Sequence, residues 1–387
     1  MKVAVIVNDL CICGGTHKQV LRLCQYLKRQ GINFVLYTKY YEKDKTYPEF
    51  NQFKIISLKE KPTIFTIGNG YLDKFKRAKQ KKQEDRALFD LIPKDIDVYN
   101  FHDNGMLWMM KWAKVERNAK VVWQSNDLPL CYRVWINDGI KNRISRSFYQ
   151  PIIDKIDLIT VNVGKNRDRV VSLMNKDAKV FYCGVDVNNK LEPHKYHKID
   201  ELKILTVGVF FPRRNYEKLV EVVEQLKNNG RKVHLDIIGS TNSDEKYAKL
   251  IKNFITEKNL DNEITIHGQV DEKEYNRLFN EADIFTFINV NQSWGLAVFE
   301  AMSCGLPTIV SNSVGAIEIL KDGVDSIIVD PMNIEEIRRV IERLINEEDY
   351  YNSIALNAMN NVKEYTWENM YCSKMLMEFN KLCGDKE

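Results

Sequence analysis

The sequence predicts an α/β chain built from two successive parallel-sheet units, each wrapped by helices. Short apolar runs bounded by turn residues alternate with longer stretches of helical period, the pattern of strands buried under helices. A length of 387 residues calls for two domains at roughly 100–200 residues each. Between the two halves of the pattern, Asn188 to Glu201 is polar, carries Pro193 and two histidines, and follows neither period, so the linker is placed there.

In chain order, the first unit offers strand runs at Lys2 to Val7, Phe34 to Thr38 and Lys120 to Trp123, with an amphipathic stretch over Thr16 to Arg29. The second offers Lys203 to Val207, His234 to Ile238, Ile264 to His267, Ile284 to Ile288 and Pro307 to Val310. Val/Ile-rich runs of this length suit strands buried on both faces. After the Pro331 turn come helical stretches at Ile334 to Asn346 and Asn352 to Glu364, and a last one from about Trp367 to Leu382. No short repeat, coiled coil or low-complexity tract interrupts them.

Composition removes several classes of function. Apolar residues make up 44% and charged residues 28%, ordinary for a globular chain and inconsistent with disorder throughout. A net charge of +4, from 57 Lys and Arg against 53 Asp and Glu, is too small to imply a nucleic-acid partner. The cysteines at 11, 13, 24, 131, 183, 304, 372 and 383 show no zinc spacing and read as free thiols of a reducing cytosol. Cys11 and Cys13 form a C-x-C, read as packing residues rather than soft-metal ligands. The run Val3 to Val7 is too short for a signal-peptide core and no stretch is long enough to span a membrane, so a cytoplasmic protein is expected.

Three loops carry chemistry. Gly14 and Gly15 follow a strand and open a helix, where backbone amides can meet a phosphate; a tight strand-to-helix turn is the alternative. The G-x-G-x-x-G spacing of a dinucleotide site is absent, which disfavours a dehydrogenase. In the second unit, Val207 and Gly208 end a strand and Phe211-Pro212-Arg213-Arg214-Asn215 leads into a helix, putting arginine forks at the edge where open α/β sheets bind ligands. Gln292-Ser293-Trp294 forms a polar loop ahead of a short buried helix, Gly295 to Ser303, closed by Gly305. Within that apolar helix Glu300 needs a partner, which a vicinal ribose diol or the protein's own amides could supply.

Together these places resemble the glycosyltransferases of family 4, retaining enzymes of the GT-B fold that transfer a sugar from a nucleotide donor. The likeness spans nearly the whole chain. Gly14-Gly15 looks like the family's Gly-Gly loop, and Asp157 to Asn162 is similar to its last strand before the linker. Phe181-Tyr182-Cys183-Gly184-Val185-Asp186 is similar to its Asn-Gly-Val-Asp stretch, with Cys183 in place of Asn. Ser293-Trp294-Gly295-Leu296 through Glu300-Ala301-Met302 and Gly305-Leu306-Pro307 matches its most specific signature, and Val314 to Glu318 continues it. Tyr365-Thr366-Trp367 resembles the start of the closing helix.

The resemblance implies two Rossmann-like domains facing a central cleft. Residues 1–190 would form the acceptor-side domain, joined by a closing helix at 367–387 that crosses back to it, and 200–366 the nucleotide-sugar domain. Carried over, Gly14 and Gly15 would meet the donor diphosphate and Gly208 would lie beside it. Arg214 would stand where the family usually has a phosphate-binding Lys, and Glu300 would bind the ribose. Gly268, Gln269 and Val270 fall where backbone atoms hold the base, and Gln292, Ser293, Trp294, Gly295 and Leu296 surround the sugar. Val209 stands where an Arg is usual, a contact Arg213 could replace; Gln292 replaces the first acid of the Glu-x7-Glu motif and suits hydroxyl recognition better than general-base work. His102 and Asn126, at two strand ends, match acceptor-side places, though a cap or packing role fits His102 equally well.

The implied function is retaining transfer to a saccharide or lipid-linked acceptor in cell-surface glycan synthesis, with no cofactor and no metal. The leaving diphosphate oxygen would take the acceptor's proton, leaving electrostatics and positioning to the protein. A silent nucleotide-sugar binder and a GT-B nucleotide-sugar epimerase are the alternatives, the first motivated by Val209 and Gln292. The run Tyr71 to Lys82, with Lys74, Lys76, Arg77, Lys79, Lys81 and Lys82 against Asp73 and beside Tyr71, Leu72 and Phe75, suggests peripheral contact with the inner face of an anionic membrane, or simply a solvated basic helix.

Overall fold

A computed structural model describes residues 1–62, 71–102, 105–126, 140–187, 193–196 and 199–384. Asp103, Asp127, Cys131 and parts of the linker at 188–192 and 197–198 lie outside the described residues, as do the side chains of Tyr71, Leu72, Lys74 and Phe75.

The first unit comprises Met1–Cys183 and Trp367–Glu387. It runs β1 (Lys2–Leu10), α1 (Gly15–Arg29), β2 (Asn33–Tyr41), β3 (Ile55–Lys59), α2 (Tyr71–Leu91), β4 (Val98–His102), α3 (Leu107–Arg117), β5 (Lys120–Ser125), α4 (Ile140–Ile153), β6 (Leu158–Val161), α5 (Gly164–Met174) and β7 (Lys179–Val180). Among the described residues these strands form a parallel sheet in the order β3-β2-β1-β4-β5-β6-β7. Val3, Val5 and Ile6 in β1 and Val121 and Trp123 in β5 are fully buried, as expected of strands covered on both faces. Helix α1 begins at Gly15, one residue before the amphipathic pattern. It ends where Gly31 takes φ +68 and Ile32 N–H bonds back to the Leu27 carbonyl, a Schellman closure.

The second unit is Gly184–Thr366. Its order is β8 (Leu202–Val207), α6 (Tyr216–Asn228), β9 (Val233–Ile238), α7 (Glu245–Glu257), β10 (Ile264–Gly268), α8 (Glu272–Glu281), β11 (Ile284–Phe287), α9 (Leu296–Ser303), β12 (Thr308–Ser311), β13 (Ile327–Val329), α10 (Ile334–Asn346) and α11 (Glu348–Val362). The parallel sheet reads β10-β9-β8-β11-β12-β13, so the strand order reverses beside β8, the switch point at which such sheets bind ligands. Helix α11 starts four residues before the apolar pattern because Glu348 and Asp349 occupy its first turn, where acids complement the helix dipole.

The last segment returns to the first unit. A π-helical turn, Glu368–Cys372, runs into α12 (Ser373–Cys383); Glu368 pairs with Arg29 at 2.8 Å and Glu378 with Lys179 at 2.7 Å. Tyr371 is fully buried, its ring edge-on to His102 at 6.4 Å.

Helix α9 ends through Gly305, at φ +74, whose Cβ would stand 2.5 Å from the Pro193 Cα. Gly305→Ala should therefore cost about 2–4 kcal/mol from backbone strain and overpacking together, seen as a lower urea midpoint for the second unit's transition. An unchanged midpoint would mean that Pro193 moves aside freely.

Candidate functional site

In the second unit three loops leave the carboxyl ends of the strands and are tied to one another. Gly208 N–H donates to the Ile238 carbonyl and Gly239 N–H to the Gly268 carbonyl, each at 2.8 Å, joining the ends of β8, β9 and β10. Gly239 packs so close that a Cβ there would collide with the Gly208 carbonyl oxygen. Phe211 leads into a 3-10 turn, Pro212–Arg214, and Asn215 comes next in the left-handed region at φ +58. The Asn215 amide donates to the Ile288 and Pro331 carbonyls at 3.3 and 2.8 Å, while Val290 N–H donates to the Arg213 carbonyl at 2.8 Å. These bonds fix the arginine turn to the loop after β11.

The two arginines differ. Arg213 is exposed, holds the loop through its backbone and lays its guanidinium near the Phe211 ring. Arg214 lies across Gly208, where a Cβ would sit 2.7 Å from its Nε, and Nε donates to the Val209 carbonyl at 3.1 Å. Burial pulls its pKa down, yet among the described residues no carboxylate pairs with it. A cation held part-desolvated beside a ligand edge is poised for an anion.

The loop before α9 supplies a second unfilled group. Among the described residues the Gln292 Oε1 is buried without a hydrogen-bond partner, while its backbone carbonyl accepts from Gly315 N–H at 3.1 Å. An orphaned buried acceptor asks for a donor such as a ligand hydroxyl. Trp294 is buried and stacks on Phe299 at 5.0 Å; Gly295, at φ +124, caps α9 tight against the Phe287 ring. Leu296 opens that eight-residue helix, and Ser293 lies in the turn before it. Glu300 accepts from the Tyr275 hydroxyl at 2.7 Å, so α8 orients this carboxylate. Gly268 takes φ +70 at the end of β10, and Gln269 and Val270 lead directly to Asp271, whose carboxylate caps α8. Tyr275 went unrecognised in the sequence, and Asn215 was read only as the end of the arginine segment, since nothing local marks a tyrosine that will meet Glu300 or an asparagine that will bridge two loops.

In the first unit Gly14 leaves room for the His17 imidazole, with a Cβ only 3.2 Å from its Nδ1, and His17 Nε2 meets the Asp9 carbonyl at 2.9 Å. Asn126 sits in a polar network. Its amide donates to Gln19 at 2.9 Å and its Oδ1 accepts from Gln124 at 2.9 Å, while Gln124 in turn accepts from the Thr160 hydroxyl at 2.7 Å. His102 is fully buried, bonded through Nε2 to Asn100 Oδ1 at 2.6 Å. Burial lowers its pKa to about 3, so it is neutral and shut from solvent rather than set to exchange protons.

Comparison with known proteins decides the family. Residues 13–189 match the profile of Glycosyltransferase Family 4 and residues 189–361 that of Glycosyl transferases group 1, end to end over most of the chain. The chain belongs to this family of glycosyltransferases. Among relatives, the capsular polysaccharide biosynthesis glycosyltransferase CapM of Staphylococcus aureus is 27% identical over 58% of this chain and 57% of its own. The serotype-specific mannosyltransferase WbdA of Escherichia coli is 23% identical over 58% of this chain, and the match spans about a quarter of WbdA, 27%. Of solved structures, sucrose-phosphate synthase from Thermosynechococcus elongatus superposes with a TM-score of 0.78 at 18% identity, covering 100% of both chains. Anabaena Alr3699/HepE in complex with UDP and glucose gives 0.73 at 16% identity, covering 98% of this chain and 100% of that one. At such identity these likenesses speak for the fold, which is GT-B.

Because His102 is neutral when folded and takes a proton near its ordinary pKa once unfolded, the stability it confers is present above about pH 6.5 and is lost as pH falls toward 3. Its NMR signals should not titrate between pH 5 and 8. Replacement by Gln should flatten the acid limb of the urea midpoint against pH, and an imidazole titrating near 6.5 would refute the assignment.

Proposed function

We propose that the protein is a retaining glycosyltransferase that moves a sugar from a nucleoside diphosphate donor, held by the second unit, to a saccharide or lipid-linked acceptor in cell-surface glycan synthesis. Arg214 carries this reading: a part-buried guanidinium without a carboxylate partner among the described residues, at the switch point of an open sheet, suits a diphosphate. Around it, Gly208 lies beside the diphosphate, the backbone of Gly268, Gln269 and Val270 meets the base, and Glu300, steadied by Tyr275, accepts from the ribose. The α9 N-terminus at Gly295 and Leu296 adds its dipole, and Gln292 takes a sugar hydroxyl. In the first unit Gly14 and Gly15 offer the N-terminus of α1 to an anion, and Asn126 and His102 belong to the acceptor side as positioning groups. The relatives named for capsular and serotype-specific glycans support the class of product.

Transfer on this arrangement breaks the bond from the anomeric carbon to the diphosphate oxygen. The acceptor oxygen attacks from the same face and its proton passes to that leaving oxygen. Charge builds on the diphosphate, where Arg214 and the helix end stabilise it without metal or cofactor. No enzymic base is needed, in keeping with a neutral His102 and an amide at position 292.

In calorimetry with UDP, GDP and ADP, Arg214→Ala should weaken the best ligand by roughly 1.5–3 kcal/mol, the range for hydrogen bonds to charged groups. Gln292→Glu should retain much of the transfer activity and Gln292→Ala less, since a carboxylate still accepts the hydroxyl's bond. Equal affinity for Arg214→Ala and wild type would sink the donor site; donor binding without transfer would favour the silent binder.

We further infer peripheral attachment to the inner face of an anionic membrane. Among the described residues no helix is long and apolar enough to cross one. In α2, Lys76, Lys79, Lys81 and Lys82 are exposed, and Lys82 lies 3.7 Å over the Trp108 ring of α3. Trp108 meets Phe148 of α4 at 5.5 Å, and Phe148, Ile144 and Val115 are 57%, 64% and 57% exposed. Exposed aromatic and aliphatic groups rimmed by lysine suit the lipid headgroup layer. At about 1 kcal/mol per basic residue, Lys79→Glu with Lys82→Glu should lower sedimentation with phosphatidylglycerol vesicles at least tenfold, and salt should do the same to wild type. Equal sedimentation with neutral vesicles would exclude it.

A further inference from the structure

One cluster of titratable side chains in the second unit lies outside the residues assigned so far. His234 and Asp236 in β9 and Thr265 and His267 in β10 share one face of the sheet, because residues two apart in a strand point the same way and Thr265 pairs in register with Asp236. Asp236 Oδ1 accepts from His267 Nε2 at 2.6 Å, and His234 Nε2 lies 3.0 Å from the Thr265 hydroxyl and 3.6 Å from Asp236. Burial pushes the Asp236 carboxyl up, but the two imidazoles outweigh it and hold it below the usual carboxylate range. They line a cavity of about 260 Å³ beneath α8, whose Arg277 is engaged by Glu274 and Glu281.

His267 is the irregular residue of its strand. Ile266 pairs with Ile237 and Gly268 with Ile238, so His267 is the extra residue of a bulge, without a place in the ladder. A bulge re-aims the chain beyond it, here Gly268 at φ +70 and then Gln269 and Val270. The far end of that loop is fixed, since the Asp271 carboxylate accepts from Glu274 N–H at 2.8 Å. At the near end, Gly268 is held in the ladder opposite Ile238 with its carbonyl accepting from Gly239 N–H, and the His267 imidazole on Asp236 adds a side-chain tether.

We propose that His267, through its hydrogen bond to Asp236, is a positioning residue that aims the Gly268–Val270 backbone at the nucleotide base and so sets nucleotide affinity without touching the nucleotide. This rests on the reading that this loop meets the base. The bond needs a donor at the reach of Nε2. Gln can place an amide N–H there; Leu cannot donate, and Asn is too short.

The test is calorimetry with UDP, GDP and ADP on the whole protein, alongside steady-state transfer. For the tightest of the three, His267→Leu and His267→Asn should raise Kd and the donor KM at least fivefold with kcat within twofold, and His267→Gln should stay within twofold of wild type throughout. A purely structural role would give neither the split between KM and kcat nor the rescue by Gln. Unchanged affinity in His267→Leu, or a Gln variant as weak as the Leu variant, overturns the proposal. Arg214→Ala measured beside them separates the two levels: if it weakens binding and His267→Leu does not, the positioning role falls alone. If neither does, or if none of the three nucleotides binds wild type, the donor site falls with it.

Discussion

The second unit is organised around one close approach of backbone to backbone, Gly239 against Gly208. The absence of a side chain at Gly239 lets the ends of β8 and β9 converge, and its amide then reaches across to the Gly268 carbonyl. The absence of one at Gly208 leaves the shelf on which the Arg214 guanidinium lies. Tyr216 locks the arrangement from below, its hydroxyl donating to the Gly208 carbonyl at 2.6 Å. A cation is thereby held part-desolvated by packing, with no carboxylate paired to it among the described residues. That is costly in an empty protein and useful in a liganded one.

The first unit handles charge differently. Lys39 of β2 and Asp85 of α2 are both fully buried and paired at 2.9 Å, and burial pushes the Asp85 carboxyl up against the pull of its lysine. Beside them Glu84 accepts from Tyr40 at 2.6 Å and from Lys59 at 3.0 Å. Such pairs contribute little net stability, but removing one partner leaves a buried charge at a cost of about 3–5 kcal/mol. Among the described residues, the polar groups around Asn126 likewise bond to one another. Around Asn126 the first unit thus gathers uncharged side chains that bond to one another, whereas Arg214 of the second unit pairs with no carboxylate among the described residues.

Much of the fold was legible because buried parallel strands are written as apolar runs. Helix α10 falls on the residues its period indicates, and the strands from β8 to β12 lie within a residue or so of theirs. Strands β3, β7 and β13 escaped notice. All three are short and at or near sheet edges, and β3 and β7 are only partly buried, so hydrophobic pattern marks them weakly. Of the candidate site, the residues in continuous motifs could be named in advance. Roles that act across the fold could not: Tyr275 meets Glu300 from another helix, Asn215 joins loops far apart in sequence, and the bulge at His267 exists only once β10 is paired with β9. His102 shows the converse, a residue whose place in the sequence was readable but whose burial and neutrality were not.

The return of the chain after Trp367 makes the first unit discontinuous, with the whole second unit inserted between Cys183 and Trp367. As a ribosome reads the message, the second unit is complete before the first has received the segment that brings Tyr371 and Phe379 into its interior. The nascent first unit must wait with an unfilled core face beside His102 and α1. Its consolidation is therefore delayed until that segment has left the ribosome, and a transcript truncated after Thr366 would leave the second unit whole and the first without its keystone.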